Sequence, residues 1–99
     1  MRNRSDAPMS ITARRVVTEP RERGEFKYFV HPSNPEVIAG MAFACPCGCG
    51  GKGTIRFDTV HDNGWAWDGN IEKPTLSPSV KQVTCGWHGW LRNGRWDSV

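Results

Sequence analysis

Short runs of alternating apolar and polar residues recur along this chain, and none of them has the length or the period of a helix. Met41, Phe43 and Cys45 share one face of the first clear run, and Ile55 and Phe57 repeat the alternation further on. Alternation over a few residues is typical of half-buried strands. We expect the two runs to form a hairpin, with the glycine-rich segment between them at its tip.

Further strands and a second hairpin are predicted from the same kind of pattern. Asn93-Gly94 is the strongest turn signal in the chain, because both positions accept the positive φ of a two-residue hairpin loop. That loop would pair Leu91 with Trp96 across the two strands. The remaining strand candidates are rich in β-branched or aromatic residues: residues 11–17, 26–30, 65–68 and 80–85.

Two segments are not expected to form central strands: residues 31–36 are predicted to form a loop, and residues 72–79 an extended segment. Residues 31–36 consist mostly of turn-forming residues, and residues 33–41 would accommodate one helical turn at most. Residues 72–79 contain Pro74 and Pro78, which argue against a central strand because proline cannot donate to the ladder.

The composition narrows the expected architecture. Apolar residues make up 37% of the 99 residues, and the chain contains 11 glycines and 7 prolines. A chain this small with so thin a core usually needs a disulfide, a metal or a partner. We predict an all-β domain over residues 11–99, a small twisted sheet or open barrel with little or no helix, preceded by a flexible tail at residues 1–10.

The four cysteines lie in two glycine-framed clusters, which is the strongest chemical signal in the sequence. Thiolate and imidazole are donors that zinc prefers, and a structural zinc site takes four of them. We therefore predict a zinc site that joins two halves of the β domain, within a metal-binding unit of about residues 41–96. Any four of five candidate donors would complete it: Cys45, Cys47, Cys49, Cys85 and His88.

Other chemistries remain open for the same residues. An iron–sulfur cluster is the rival to zinc, although the lack of a second paired histidine disfavours a Rieske centre. A disulfide and chemically inert thiols are the further alternatives. A catalytic zinc needs an open position, whereas five donors for four places favour a closed site. Cys85 and His88 as nucleophile and base would be the catalytic alternative.

Three stretches of the chain match a known pattern in order: FxCPCGCG at residues 43–50, WDGNxEKPTLSPSV at 67–80 and CGWHGWLxNG at 85–94. Together they resemble a family of small bacterial and bacteriophage proteins classed as a domain of unknown function, over about residues 41–96. The resemblance implies that the three stretches form one unit. Some members carry the label ammonia monooxygenase, but a copper enzyme would need a histidine-rich site. Bacterial members beside ubiquitin-like conjugation genes imply a partner-binding role.

The tryptophans either form the core or line an exposed groove with basic residues. Exposed aromatic residues with arginine are typical of protein interfaces and of single-stranded nucleic-acid platforms. A net charge of +3 without a dense basic run makes nucleic acid the less favoured partner. The candidate partner-binding residues are Trp65, Trp67, Lys73, Trp90, Arg92 and Arg95.

These patterns favour a non-catalytic, zinc-stabilised protein-interaction module encoded by a phage. It would regulate a host protein or form a minor component of the particle. A single-stranded nucleic-acid-binding zinc protein is one alternative, and a metalloenzyme or iron–sulfur redox protein is the other. The chain shows no signal-peptide core and no run that would span a membrane, so we expect it in the host cytoplasm or the virion.

Overall fold

The computed structural model describes residues 10–57, 64–83 and 85–98, and within them it contains strands but no helix. The prediction of an all-β protein is therefore confirmed, and these residues include no helix suited to crossing a membrane. The predicted tail at residues 1–10 falls outside the description except for Ser10. The strands are β1 (Ser10–Thr12), β2 (Arg14–Arg15), β3 (Glu25–His31), β4 (Asn34–Ala44), β5 (Lys52–Arg56), β6 (Ala66–Trp67), β7 (Leu76–Ser77), β8 (Val80–Lys81), β9 (His88–Arg92) and β10 (Arg95–Ser98).

The described strands form two four-stranded sheets and one two-stranded sheet, and none of them closes into a barrel. Sheet 1 has the order β1-β10-β9-β8, and sheet 2 has the order β2-β3-β4-β5. Strands β6 and β7 pair only with each other. The chain passes from sheet 1 to sheet 2 at the buried Ala13, between β1 and β2, so one short segment belongs to both sheets.

Both predicted hairpins are present. Strands β4 and β5 pair antiparallel, with Met41 opposite Ile55, so the alternating apolar residues meet on the buried face as expected. Strands β9 and β10 pair with Leu91 opposite Trp96, the register that the two-residue loop requires. Asn93 has φ 50° and its glycine neighbour φ 72°, the left-handed values that favour these two residue types in a tight turn.

The loop predicted at residues 31–36 is largely a strand. Strand β4 begins at Asn34 and pairs with β3, so the connection between them is much shorter than expected. Residues 34–37 are all exposed, and the register shifts between Phe29 and His31. This end of β4 is exposed on both faces, so its sequence shows no alternation of apolar and polar residues. It also contains turn-forming residues and an irregular register, and a strand of this kind is not predicted from periodicity.

The core joins the two sheets through aromatic side chains. Trp96 of sheet 1 is fully buried, and its ring centroid lies 5.0 Å from that of Phe43 in sheet 2. Trp87 meets the same tryptophan edge-on, with centroids 5.8 Å apart. The Trp96 Nε1–H donates to the carbonyl oxygen of Gly24 at 3.0 Å, which satisfies the buried polar end of the ring.

The segment between β6 and β7 is held by two short polar side chains. Asp68 Oδ1 accepts the backbone N–H of Asn70 and of Thr75, at 3.0 and 3.2 Å. Asn70 Oδ1 in turn accepts the backbone N–H of Glu72 and Lys73. Such bonds fix turns without regular secondary structure. They shape the WDGN stretch into a compact loop that leads directly to β7 and β8.

Candidate functional site

Two hairpin tips carry the four cysteines. The tip between β4 and β5 holds three of them, and it closes with a bond from the Cys45 N–H to the Gly51 carbonyl oxygen at 2.8 Å. Gly48 and Gly50 have φ 87° and 85°, left-handed values that let the chain turn tightly after Cys47 and after Cys49. The tip between β8 and β9 supplies Cys85. The site therefore draws its donors from one hairpin of each sheet.

The four sulfur atoms lie together, all within 4.8 Å of one another. The Cys45 Sγ lies 3.3 Å from the Cys47 Sγ and 3.4 Å from the Cys85 Sγ, and the last two are 3.5 Å apart. Four sulfurs bound tetrahedrally at ~2.3 Å from a metal would be about 3.8 Å apart. These three separations are slightly shorter than that, and the Cys49 Sγ lies within 4.8 Å of each of the other sulfurs, so the four are close enough to share one ion after a small adjustment. We call these four residues the cysteine cluster.

The thiols of the cysteine cluster differ in environment. Burial raises the pKa of Cys45 and of Cys47 above the ordinary thiol value. A backbone N–H of Gly51, 3.3 Å from the sulfur, lowers the pKa of the exposed Cys49 to about 7. A bound cation would favour the thiolate form at all four positions, because the positive charge outweighs the cost of desolvation.

His88, the fifth candidate donor, is not a member of the group that the described residues form. All four cysteines assemble, and the histidine lies apart from them. His88 is the first residue of β9, three positions after Cys85, and its side chain is exposed. Its ring is engaged in a different contact.

The contact is with Ser79, whose Oγ lies 2.8 Å from the His88 Nε2. Strands β8 and β9 pair with Lys81 opposite His88, and successive side chains of a strand alternate between faces. Ser79 and Lys81 therefore share the exposed face with His88, whereas Val80 is buried. The serine and the histidine are diagonal neighbours across the hairpin, close enough for their side chains to meet. We call them the serine–histidine pair.

An aromatic and basic surface continues from this pair along β9. The rings of His88 and Trp90 are stacked with centroids 6.3 Å apart, and the Arg92 guanidinium carbon lies 4.9 Å from the centre of the Trp90 ring. Arg95, opposite Arg92 in β10, lies on the same face. Asp97 partly neutralises both arginines, at 3.7 and 3.5 Å. Three of the predicted partner-binding residues thus share one surface.

The other three predicted partner-binding residues lie elsewhere. Trp67 packs against the core, stacked on Phe57 with centroids 5.0 Å apart. Lys73 lies against the β9–β10 turn, close to Gly94. Trp65 is also packed on the core, but its Nε1–H donates to the Ser79 carbonyl oxygen at 3.1 Å. Trp65 therefore positions the backbone of the serine.

Ser79 was missed by sequence reasoning as a site residue. Serine is common, and this one lies in a proline-rich stretch that gives no strand signal. The pairing of the β8–β9 hairpin could have indicated its role. If residues 80 and 89 are opposite each other, Ser79 and His88 lie on the same face of adjacent strands. The predicted strand at residues 80–85 placed the hairpin turn too late to reveal this, because β8 ends at Lys81.

No carboxylate of the described residues contacts the His88 Nδ1. Within these residues, the site is therefore a serine–histidine pair and not a serine–histidine–carboxylate triad. A depression of about 400 Å³ opens elsewhere on the surface and is lined by neither member of the pair. Its lining residues are Arg14, Val16, Thr18, Glu19, Arg21, Glu22 and Glu25.

One family model matches the chain, over residues 15–99, and its description is bacterial ubiquitination-like system serine protease (BubE). No curated protein and no solved structure matches. The match covers most of the chain, so the protein belongs to this family. The description names a bacterial system, and it gives no support to the expected phage origin.

Proposed function

We propose that this member of the BubE family is a serine hydrolase that cleaves a peptide or isopeptide bond in a protein of a bacterial ubiquitination-like system. The family description supplies the reaction class and the system. The observation that carries the proposal for this chain is the 2.8 Å separation between the Ser79 Oγ and the His88 Nε2. That is the geometry in which an imidazole activates a serine hydroxyl.

The first half of the reaction forms an acyl-enzyme. With its proton on Nδ1, the neutral His88 ring accepts the Ser79 hydroxyl hydrogen bond at Nε2. Ser79 Oγ attacks the carbonyl carbon, and its proton passes to Nε2. The tetrahedral intermediate then collapses, the C–N bond breaks, and the leaving amine takes the proton from the imidazolium. The Ser79 backbone N–H has no partner among the described residues and is available to the oxyanion.

The second half returns the enzyme to its starting state. Water attacks the ester carbonyl and gives a proton to Nε2. Collapse of the second intermediate breaks the bond to Ser79 Oγ, which regains its proton, and a carboxylic acid leaves. The Trp65 bond to the Ser79 carbonyl oxygen fixes the serine backbone through both halves. The Trp90 ring lies stacked beside the His88 ring, with centroids 6.3 Å apart, and limits the space into which the imidazole could turn.

We propose zinc as the ion of the cysteine cluster, in a structural role. Four thiolates in a closed set match a structural zinc site and leave no open position for catalysis. An iron–sulfur cluster would use the same four ligands but would colour the protein. We propose a cytoplasmic location, where thiols stay reduced and are available to bind a metal.

A small serine-reactive fluorophosphonate tests the proposed activity on the full chain. Wild type should be labelled at Ser79, and Ser79→Ala should abolish labelling. His88→Ala should slow it by about 10²–10⁴-fold, the usual contribution of a general base. Ser77→Ala is the matched control, because Ser77 is an exposed serine two residues away and should make no difference. Mass spectrometry of the labelled chain locates the modified residue.

The second candidate function is the non-catalytic protein-interaction module. The surface formed by the half-buried Trp90 and the exposed Arg92 and Arg95 favours it, because tryptophan and arginine side chains often form the energetic centres of protein interfaces. Equal labelling of wild type and the Ser79→Ala variant, or no labelling of either, would leave this as the better description. The same surface would then bind a component of the ubiquitination-like system without cleaving it.

A further inference from the structure

Strand β8 forms one edge of sheet 1, immediately after the proposed nucleophile. Sheet 1 has the order β1-β10-β9-β8, and no strand of the described residues pairs with the outer side of β8. An edge strand presents unpaired N–H and C=O groups that accept another extended chain. The free edge of β8 therefore begins next to Ser79.

The hydrogen bonds around the hairpin show which backbone groups point outward. Gln82 N–H donates to the Trp87 carbonyl oxygen at 2.7 Å, so residue 82 faces β9. Backbone groups alternate in direction along a strand, and so the N–H and C=O of Lys81 face away from β9. The carbonyl oxygen of Ser79 points to the same side, where it accepts the Trp65 Nε1–H. Lys81 is thus the open position of the edge, and the ladder ends at Ser79.

We infer that an extended segment of the protein substrate pairs with the outer backbone groups of Lys81 and thereby places its scissile carbonyl at Ser79. This inference rests on the proposed hydrolase function. Main-chain pairing with a sheet edge supplies affinity without a particular side-chain sequence. Residues 79 and 81 are about 6.8 Å apart along a strand. The substrate residue that pairs with Lys81 is therefore two positions from the residue at the scissile bond.

The exposed side chains beside this edge all lie on one face of the sheet. Lys81 and His88 lie opposite each other on the exposed face, and Trp90 lies beyond them. Side chains of a segment paired with this edge would alternate between the exposed face and the opposite face. The register is set by main-chain pairing and does not depend on the Lys81 side chain.

The substitution Lys81→Pro tests the inference, because it removes the outward N–H of residue 81, whereas the hydrogen bonds to β9 are made by the neighbouring residues. The probe is a randomised mixture of internally quenched decapeptides. Lys81→Pro should cut them about fivefold more slowly, the effect of about one lost hydrogen bond. Lys81→Ala, the matched control, keeps the N–H and should stay within about twofold of wild type by the same reasoning. Fluorophosphonate labelling of Ser79, which needs no edge, should be unchanged in both variants.

A second arm uses wild type alone and so does not depend on how a variant folds. One cleaved decapeptide is N-methylated at each position in turn, and methylation two positions from the scissile residue should abolish cleavage while the adjacent position tolerates it. Tolerance at every position, equal rates for Lys81→Pro and Lys81→Ala, or labelling of Ser79 without cleavage of any decapeptide would each overturn the edge-docking inference. Loss of labelling in Lys81→Pro would also overturn it, because the proline would then act on the serine itself. If wild type is not labelled at Ser79 at all, the proposed hydrolase function fails instead.

Discussion

The cysteine cluster and the serine–histidine pair share one hairpin but differ in how they are built. The cluster takes its donors from the tips of two hairpins in two sheets, so it forms only when those sheets are assembled. The pair lies on one face of β8 and β9, within a single hairpin. Cys85 lies in the connection between these strands and His88 begins the second of them. The hairpin that presents the histidine is therefore anchored at its tip by the cluster.

In the function proposed above, this difference separates a stabilising site from a reactive one. The cluster couples distant parts of the chain and is expected to decide whether the protein folds. The pair depends on the local pleat and on one bond from Trp65, and its residues can be changed without disturbing the core. Substitutions in the cluster should therefore abolish both stability and activity, and substitutions in the pair should abolish activity alone.

The largest expected effect is the loss of the fold in Cys85→Ser. A structural zinc contributes about 10–16 kcal/mol to the folding of a small domain, which is comparable with the whole stability of about 5–15 kcal/mol. We expect the purified variant to contain no stoichiometric metal and to lack near-ultraviolet dichroism from its tryptophans. Chelation of wild type should have the same result. Metal analysis of wild type should give one zinc per chain without visible absorption.

The matched control for the cysteine variant is His88→Ala, which changes a residue three positions away. It should bind metal and unfold at the same temperature as wild type. If His88→Ala loses its metal, the histidine is a ligand after all and the separation between the two sites is wrong. If Cys85→Ser keeps a cooperative fold, the cluster does not anchor the hairpin.

A smaller effect is expected from Trp65→Phe, which removes the bond to the Ser79 carbonyl oxygen but retains an aromatic ring. Loss of one neutral hydrogen bond costs about 1 kcal/mol, so fluorophosphonate labelling of Ser79 should slow by about fivefold. Metal content should not change. Trp67→Phe is the matched control, because its Nε1–H donates to the Asn70 carbonyl oxygen at 3.2 Å and not to the site. Equal rates for the two variants would show that Trp65 does not position the serine.

The two sites also differ in how far the sequence predicts them. Cysteine is rare, and four of them framed by glycine at two hairpin signals indicate a common site by residue type and spacing alone. Ser79 has no such signature, because its role follows from the register of β8 and β9 and from a tertiary bond to Trp65. The hairpins at Asn93-Gly94 and at the first cluster were predictable from alternation and turn residues. The division of the strands into two sheets was not predictable, because it depends on the point at Ala13 where the chain passes from one sheet to the other.

The smallest effect is expected at Glu25, which stabilises the fold independently of the cysteine cluster and of the serine–histidine pair. The Glu25 carboxylate is almost fully buried and accepts the backbone N–H of Arg21 and of Glu22, at 3.0 and 3.1 Å, and it pairs with Arg14. The Arg21 amide, the Arg14 guanidinium and the Glu22 amide lower its pKa from 4.5 to about 2. A carboxyl group whose pKa is lower in the folded state stabilises the fold above its unfolded pKa. That contribution is lost as the pH falls from about 4.5 towards 2.

Glu25→Gln should therefore lower the unfolding temperature at pH 7, and the difference from wild type should shrink as the pH falls through this window. Protonation of the cysteine cluster also destabilises the protein in acid, but it acts on wild type and variant alike and cancels in the difference. Glu22→Gln is the control, because the exposed Glu22 carboxylate lies 3.8 Å from Arg14 and should contribute little at any pH. A difference between Glu25→Gln and wild type that stays constant from pH 7 to pH 3 would contradict the assignment.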